Sequence, residues 1–211
     1  MKTHGRDELV FYTNPRSRGR TVRWMLEEVG QPYKTEVMDY GTTMKAPAFL
    51  AINPMGKVPA LRHGDFVVTE VAAICAYLAD AFPEAQLAPD RSDPWRGPYY
   101  RWLFFAAGPL EAAASNQALG FVVPPDRKPM MGYGGGLSEV LKVIEGAVTQ
   151  REYLAGDHFT AADLYLGAHL GFGMQFGTIE KRPAFEQYWK RLNDRPAKQR
   201  ADGIDDALIK G

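Results

Sequence analysis

Apolar residues recur along the chain with two different periods, and the change between them divides it into elements. Leu9-Val10-Phe11-Tyr12 is an apolar run of strand length, closed by the turn composition Thr13-Asn14-Pro15-Arg16-Ser17. From Arg18 the spacing becomes helical: Val22, Met25, Leu26 and Val29 lie three or four apart on one face, flanked by Trp24. Gly30 stops this helix and Pro32 prevents its continuation. Tyr33 to Val37 reads as a second strand with weak alternation, and Lys45 to Leu50 as a short helix. The stretch Asn53-Pro54-Met55-Gly56-Lys57-Val58-Pro59 is a loop leading into Ala60-Leu61, the turn His63-Gly64-Asp65 and the run Phe66-Val67-Val68. After Thr69-Glu70, Val71, Ile74, Cys75 and Leu78 mark another helical face. The predicted order is β-α-β-α-β-β-α.

Beyond Phe82 the pattern changes. Pro83 and Pro89 interrupt any period, and Asp93-Pro94 opens a helix with proline at its first position. The domain boundary is placed at about residue 85, giving an α/β domain over 1–84 and an all-α domain over 85–211. Trp95 to about Leu119 reads as one long helix, crowded with aromatic residues and bent at Gly108-Pro109. Residues 120–136 are irregular, rich in proline and glycine. Leu137, Val140, Leu141, Ile144 and Val148 define a further helix. Thr160 and Asp163 stand three apart before an apolar run, an aspartate form of the capping box, with Phe159 and Leu164 at the staple positions. Asp163 is therefore read as structural. A helix from Pro183 and a polar helical tail after Arg195-Pro196 complete the chain.

Composition removes several function classes. With 25 basic and 25 acidic residues the formal net charge of the 211-residue chain is zero, which gives no sign of a nucleic-acid partner. The single cysteine, Cys75, excludes an internal disulfide or a cysteine metal cluster. It falls on an apolar helix face and reads as buried and inert. No apolar run reaches membrane-span length, and the polar opening Met1 to Glu8 lacks a signal-peptide core, so a soluble cytoplasmic protein is expected. The glycine run 134–136 has no lysine and serine or threonine after it, against a phosphate loop.

Candidate chemistry gathers at three places. Ser17 stands where a helix begins, near backbone N–H groups that favour an anion. It can cap the helix, the simpler reading from composition, or donate its hydroxyl to a thiolate held there. Thr69 can cap the next helix, with Glu70 gaining from the helix dipole in its first turn. Val58, forced toward an extended conformation by Pro59, can offer its main chain to a peptide-like ligand or belong to an ordinary turn.

The stretches Phe11 to Arg18, Asn53 to Leu61 with Thr69-Glu70, and Asp157 to Leu164 together resemble the glutathione transferase superfamily, over most of the chain. The match is to a cytosolic, bacterial-type member with serine at the catalytic turn. The resemblance implies a thioredoxin-like N-terminal domain followed by a helical C-terminal domain. It implies a glutathione S-transferase that joins the thiolate of glutathione, its co-substrate, to an apolar electrophile in detoxification, without a metal. In the family pattern the proline matching Pro59 is cis. Val58 pairs its backbone with glutathione, Thr69 takes the γ-glutamyl carboxylate and Glu70 the ammonium group. Ser17 is the implied thiolate stabiliser, with Tyr12 the rival and more simply a wall or core residue. Arg18 and Lys57 join the glutathione-binding set. Tyr99, Trp102 and Phe105 are the candidate walls for the electrophile, and a homodimer is implied. The alternatives are a non-catalytic glutathione-binding or assembly protein, or a glutathione-dependent isomerase, dehalogenase or peroxidase.

Overall fold

The computed structural model describes residues 8–210, so the polar opening Met1 to Asp7 lies outside it. The chain forms two compact units. One runs up to Ala85 and includes the segment from Arg195 onward; the other is Gln86–Asp194.

The first unit is built on a four-stranded sheet in the order β2-β1-β3-β4. Its strands are β1 (Leu9–Thr13), β2 (Tyr33–Val37), β3 (Ala60–His63) and β4 (Phe66–Thr69). β1 and β2 are parallel, as a connection through helix α1 (Gly19–Val29) requires. β1 to β3 and β3 to β4 are antiparallel, the latter a hairpin closed by Gly64-Asp65 with Gly64 at φ 56°. The expected apolar face of α1 is the buried one, and the helix ends on Gly30, whose left-handed backbone donates its N–H to Leu26. The short helix α2 (Pro47–Leu50) follows a single 3₁₀ turn at Thr43–Lys45. Helix α3 (Val71–Ala81) buries Ile74, Cys75 and Leu78 and packs beside α1. Phe11, Val22, Met25, Leu26, Ile74 and Leu78, all nearly without exposure, form the core here. Burial raises the Cys75 thiol pKa to about 12, which keeps it protonated and unreactive.

The segment from Arg195 onward, which the sequence pattern assigns to the helical domain, packs instead with the first unit. Helix α9 (Pro196–Lys210) lies along α1, with Ala197, Ala201 and Asp205 as its buried stripe. Charge complementarity explains the docking. Arg23 of α1 and Asp205 pair at 2.7 Å with both side chains only 1% exposed. Arg20 reaches Asp202 and Asp206, Arg195 reaches Glu28, and Arg200 reaches Glu27.

The second unit is helical. The stretch expected as one bent helix is α4 (Arg96–Phe105), a π-helical turn Ala106–Leu110 and α5 (Glu111–Ala118). Pro109 sits in the wide turn, where its missing N–H breaks the regular ladder. Helices α6 (Leu137–Gln150), α7 (Ala161–Phe176) and α8 (Pro183–Asn193) follow, with a 3₁₀ stretch Pro125–Met130 inside the irregular region. α7 is buried around most of its circumference. A Cβ at Gly171 would stand 2.6 Å from the Trp189 ring, and one at Gly167 would stand 2.4 Å from Leu192, so glycine there sets how closely α8 packs.

The capping box at α7 is complete. Asp163 accepts bonds from the Thr160 N–H and hydroxyl, the Leu154 N–H and the Tyr188 hydroxyl. His169 is buried. Among the described residues no helix is long and apolar enough to cross a membrane.

Candidate active site

Strand register brings the three candidate stretches to one end of the sheet. Tyr12 stands opposite Ala60 across β1 and β3, and Ala60 stands opposite Thr69 across β3 and β4. Neighbouring strands lie about 4.8 Å apart, so the turn leaving β1, the loop entering β3 and the exit of β4 emerge side by side within about 10 Å. Their residues are Thr13 to Arg18, Val58-Pro59 and Thr69-Glu70.

The first stretch is a tight, internally bonded turn. The Asn14 side chain donates to the Met38 carbonyl at 2.8 Å and accepts the Arg16 N–H at 2.9 Å, which ties the turn to the end of β2. The half-buried Ser17 hydroxyl donates to the Asn14 carbonyl at 2.7 Å and accepts the Gly19 N–H at 2.9 Å. Ser17 thus satisfies one N–H of the first turn of α1, the capping role in a shifted position, since the N-cap itself is Arg18. Arg18 is exposed. Tyr12 is half-buried, its ring 5.7 Å from Phe49, in a cluster with Met44 and Ala60.

The Val58–Pro59 peptide is cis, as the resemblance implies. Asn53 organises the loop: its amide donates to the Lys57 carbonyl at 2.8 Å and its oxygen accepts the Met55 N–H at 3.1 Å. Lys57 is exposed and Val58 half-buried. Among the described residues, none uses the main-chain N–H or C=O of Val58 in a loop hydrogen bond.

At the third stretch the structure differs from expectation. Thr69 does not cap α3; it is the last residue of β4, held extended by its pairing with Ala60. The N-cap position is Glu70, which makes no side-chain cap bond. Glu70 has φ 66°, a conformation that costs a residue with a Cβ about 1–3 kcal/mol and that recurs at ligand sites. Its side chain is exposed. The first N–H groups of α3 therefore open beside Thr69 without a side-chain cap, an arrangement suited to a carboxylate.

The helical candidates separate by exposure. Tyr99 and Trp102 are buried at 0% and 3% exposure, whereas Phe105 is half-buried. Sequence reasoning takes Thr13, Asn14 and Asn53 only as members of the turn and the loop, and passes over Gly19. The Asn-Pro dipeptides at 14–15 and 53–54 are the available signal, because asparagine before proline initiates such turns. Among the described residues no cluster of three His, Cys, Asp or Glu side chains could hold a metal ion.

Comparison with known proteins identifies the family. Residues 17–81 match the family model described as the glutathione S-transferase N-terminal domain, and residues 113–196 match the C-terminal domain. The chain is 31% identical to a probable glutathione S-transferase of Oryza sativa subsp. japonica, over 88% of this chain and 94% of the relative. It is 28% identical to a glutathione S-transferase of Xanthomonas campestris, over 93% of this chain and all of the relative. Among solved structures, a glutathione transferase of Methylococcus capsulatus superposes with TM-score 0.78 at 30% identity, covering 94% of this chain and 99% of the other. A sphingomonad glutathione S-transferase complexed with glutathione superposes with TM-score 0.76 at 26% identity, covering 93% of this chain and 98% of the other. A thioredoxin-like sheet unit and a helical unit, matched by these relatives over 88–94% of the chain, place the chain in the glutathione S-transferase family, whose members conjugate glutathione, their co-substrate, to electrophiles.

Proposed function

We propose that this is a serine-type, bacterial-type glutathione transferase in which Ser17 stabilises the glutathione thiolate. The supporting observation is the register Tyr12 to Ala60 to Thr69, which puts a hydroxyl, an unused main-chain segment and an open helix start on one sheet end. The Val58 main chain pairs with the cysteinyl part of glutathione. The Thr69 hydroxyl and the first N–H groups of α3 take the γ-glutamyl carboxylate, and Glu70 takes the ammonium group. Arg18 and Lys57, both exposed cations, draw in the carboxylates.

Ser17 holds its proton on the Asn14 carbonyl at 2.7 Å. A thiolate is a charged acceptor and competes well against a neutral carbonyl, so the hydroxyl turns to the sulfur when glutathione binds. The sulfur then attacks the electrophilic carbon. The S–C bond forms, and either a leaving group departs with its electron pair or the π electrons of an activated double bond are displaced and protonated from solvent. The enzyme supplies a lowered thiol pKa and proximity.

The electrophile is apolar. Of the three aromatic residues assigned to it, Phe105 retains surface to offer. The protein is cytoplasmic and acts as a homodimer. The exposed apolar Phe66 and Val67 on the edge strand β4 support pairing with a second copy.

The test is the ultraviolet thiolate absorbance of bound glutathione against pH, in wild type and Ser17→Ala. Losing one hydrogen bond to the thiolate costs about 1.5–3 kcal/mol, which raises the thiol pKa by about 1–2 and slows conjugation near neutral pH by about one to two decades. Coincident titration curves would remove Ser17 from the chemistry and return it to capping. Tyr12→Phe is the comparison in the same assay.

A further inference from the structure

We infer that Thr13 is a positioning residue for the thiolate: its hydroxyl donates to the Ser17 oxygen and strengthens the bond that Ser17 gives to the glutathione sulfur. The inference rests on the Ser17 reading above. Thr13 is fully buried at the end of β1, and its Oγ1 has no hydrogen-bond partner. Native proteins seldom leave a buried hydroxyl in that condition, because the unmade bond is costly. The main chain of Thr13 is engaged, its carbonyl accepting the Met38 N–H at 2.7 Å, so the residue is anchored and the loose end is the hydroxyl.

Gly19 shows where that hydroxyl looks. A Cβ built at position 19 would stand 2.0 Å from Thr13 Oγ1 and 2.9 Å from Ser17 Oγ. The two oxygens thus border one small space, kept open because residue 19 has no side chain. A serine hydroxyl has one proton to give and two lone pairs to receive with. Ser17 uses one lone pair on the Gly19 N–H. Its proton leaves the Asn14 carbonyl when it turns to the sulfur. As Ser17 turns to the sulfur, its oxygen moves across the shared space toward Thr13 Oγ1, and its second lone pair then accepts the Thr13 proton, giving a chain from Thr13 to Ser17 to sulfur. Each hydroxyl in such a chain polarises the next, so Ser17 becomes a stronger donor to the thiolate. No bond to carbon, metal or cofactor is involved; only hydrogen-bond partners change.

The decisive variant is Thr13→Val, which keeps the shape and removes the donor. The expected result is a rise of roughly 0.5 in the pKa of bound glutathione, with glutathione affinity at low pH unchanged and Thr13→Ser restoring the wild-type curve. A purely structural Thr13 would change the unfolding midpoint and leave the titration alone. If Thr13→Val does not fold, Thr13→Ala is measured in its place. Gly19→Ala, which pushes a methyl group into the shared space, should shift the thiol pKa in the same direction. If Ser17→Ala raises the pKa and Thr13→Val does not, Thr13 has no part in the chain and the Ser17 reading survives. If Ser17→Ala also leaves the curve unmoved, both readings fall.

Discussion

The Asp163 carboxylate sets a sharp trap for a substitution that looks conservative. In Asp163→Asn the volume is kept and one acceptor oxygen becomes an NH₂ donor. Asp163 is fully buried. One of its oxygens accepts the Leu154 N–H and the Tyr188 hydroxyl, both at 2.8 Å. The other accepts the Thr160 N–H and the Thr160 hydroxyl, both at 2.9 Å. The hydroxyls can turn and accept from the new NH₂; the backbone N–H groups cannot. Whichever way the amide is placed, its NH₂ faces one backbone N–H, and that N–H loses its acceptor. One buried N–H left unpaired costs about 1–3 kcal/mol, and the bonds that remain lose their charge assistance, about 1 kcal/mol more. Burial pushes the Asp163 carboxyl above its usual pKa range against the pull of these four bonds, so removing the charge recovers part of the loss. The net expectation is a destabilisation of about 2–4 kcal/mol. Urea unfolding followed by circular dichroism, at one fixed protein concentration, measures it. An Asp163→Asn protein within about 1 kcal/mol of wild type would refute the reasoning, because it would mean that no N–H is stranded. Tyr188→Phe, which removes one donor and strands nothing with a fixed direction, should cost clearly less.

Three further outcomes follow from the first unit. Arg23→Met alone should cost about 3–5 kcal/mol in the same urea assay, because it strands the buried Asp205 carboxylate, whereas Arg23→Met with Asp205→Leu should recover most of that loss; additive losses would argue against the pairing. Glu70→Gln should raise the dissociation constant for glutathione in calorimetric titration by roughly threefold to tenfold while the fold persists, and an unchanged constant would leave Glu70 with its helix-terminus role alone. Cys75 should resist iodoacetamide at about pH 8.5 in the native protein and react once unfolded, since its folded thiol pKa of about 12 lies above the ordinary 9.0. The folded state therefore holds this proton more tightly, and the group's stabilising contribution, full below pH 9, is lost as pH rises toward 12. Rapid native labelling under those conditions would contradict the burial.

Much of the first unit can be read from its periods because its elements are local. α1 has a clean apolar stripe with a glycine stop, and the β3–β4 hairpin has a two-residue turn between short apolar runs. What escapes is what depends on distant partners. In sequence α9 reads as a polar tail of the helical part, yet it docks on α1 through Arg23 and Asp205, 182 positions apart, a pairing no local window contains. Thr69 reads as a cap because threonine before an apolar period usually is one; pairing with Ala60 holds it in β4 instead. On α4 the aromatic crowding is plain, but the surface each ring occupies depends on how the helix is turned. Trp102 is 3% exposed, while Phe104, two residues on, is 70% exposed.

The same ambiguity governs the three hydroxyls at helix starts, which look alike in sequence. Ser17, Thr69 and Thr160 each precede an apolar period, and each has a capping reading. Their bonds separate them. The Thr160 hydroxyl and N–H are both given to Asp163, in a closed and buried box with nothing left for a ligand. Ser17 is bonded on both sides within its turn, but its acceptor is a neutral carbonyl that a thiolate can displace. Thr69 caps nothing, and the N–H groups of α3 beside it open at the sheet end that also holds Ser17 and Val58. Capacity for a ligand therefore runs opposite to quality as a cap. A complete cap contributes stability, an incomplete one leaves donors free for an anion, and this chain keeps its complete box at α7 in the helical unit and its incomplete caps at the edge of the sheet.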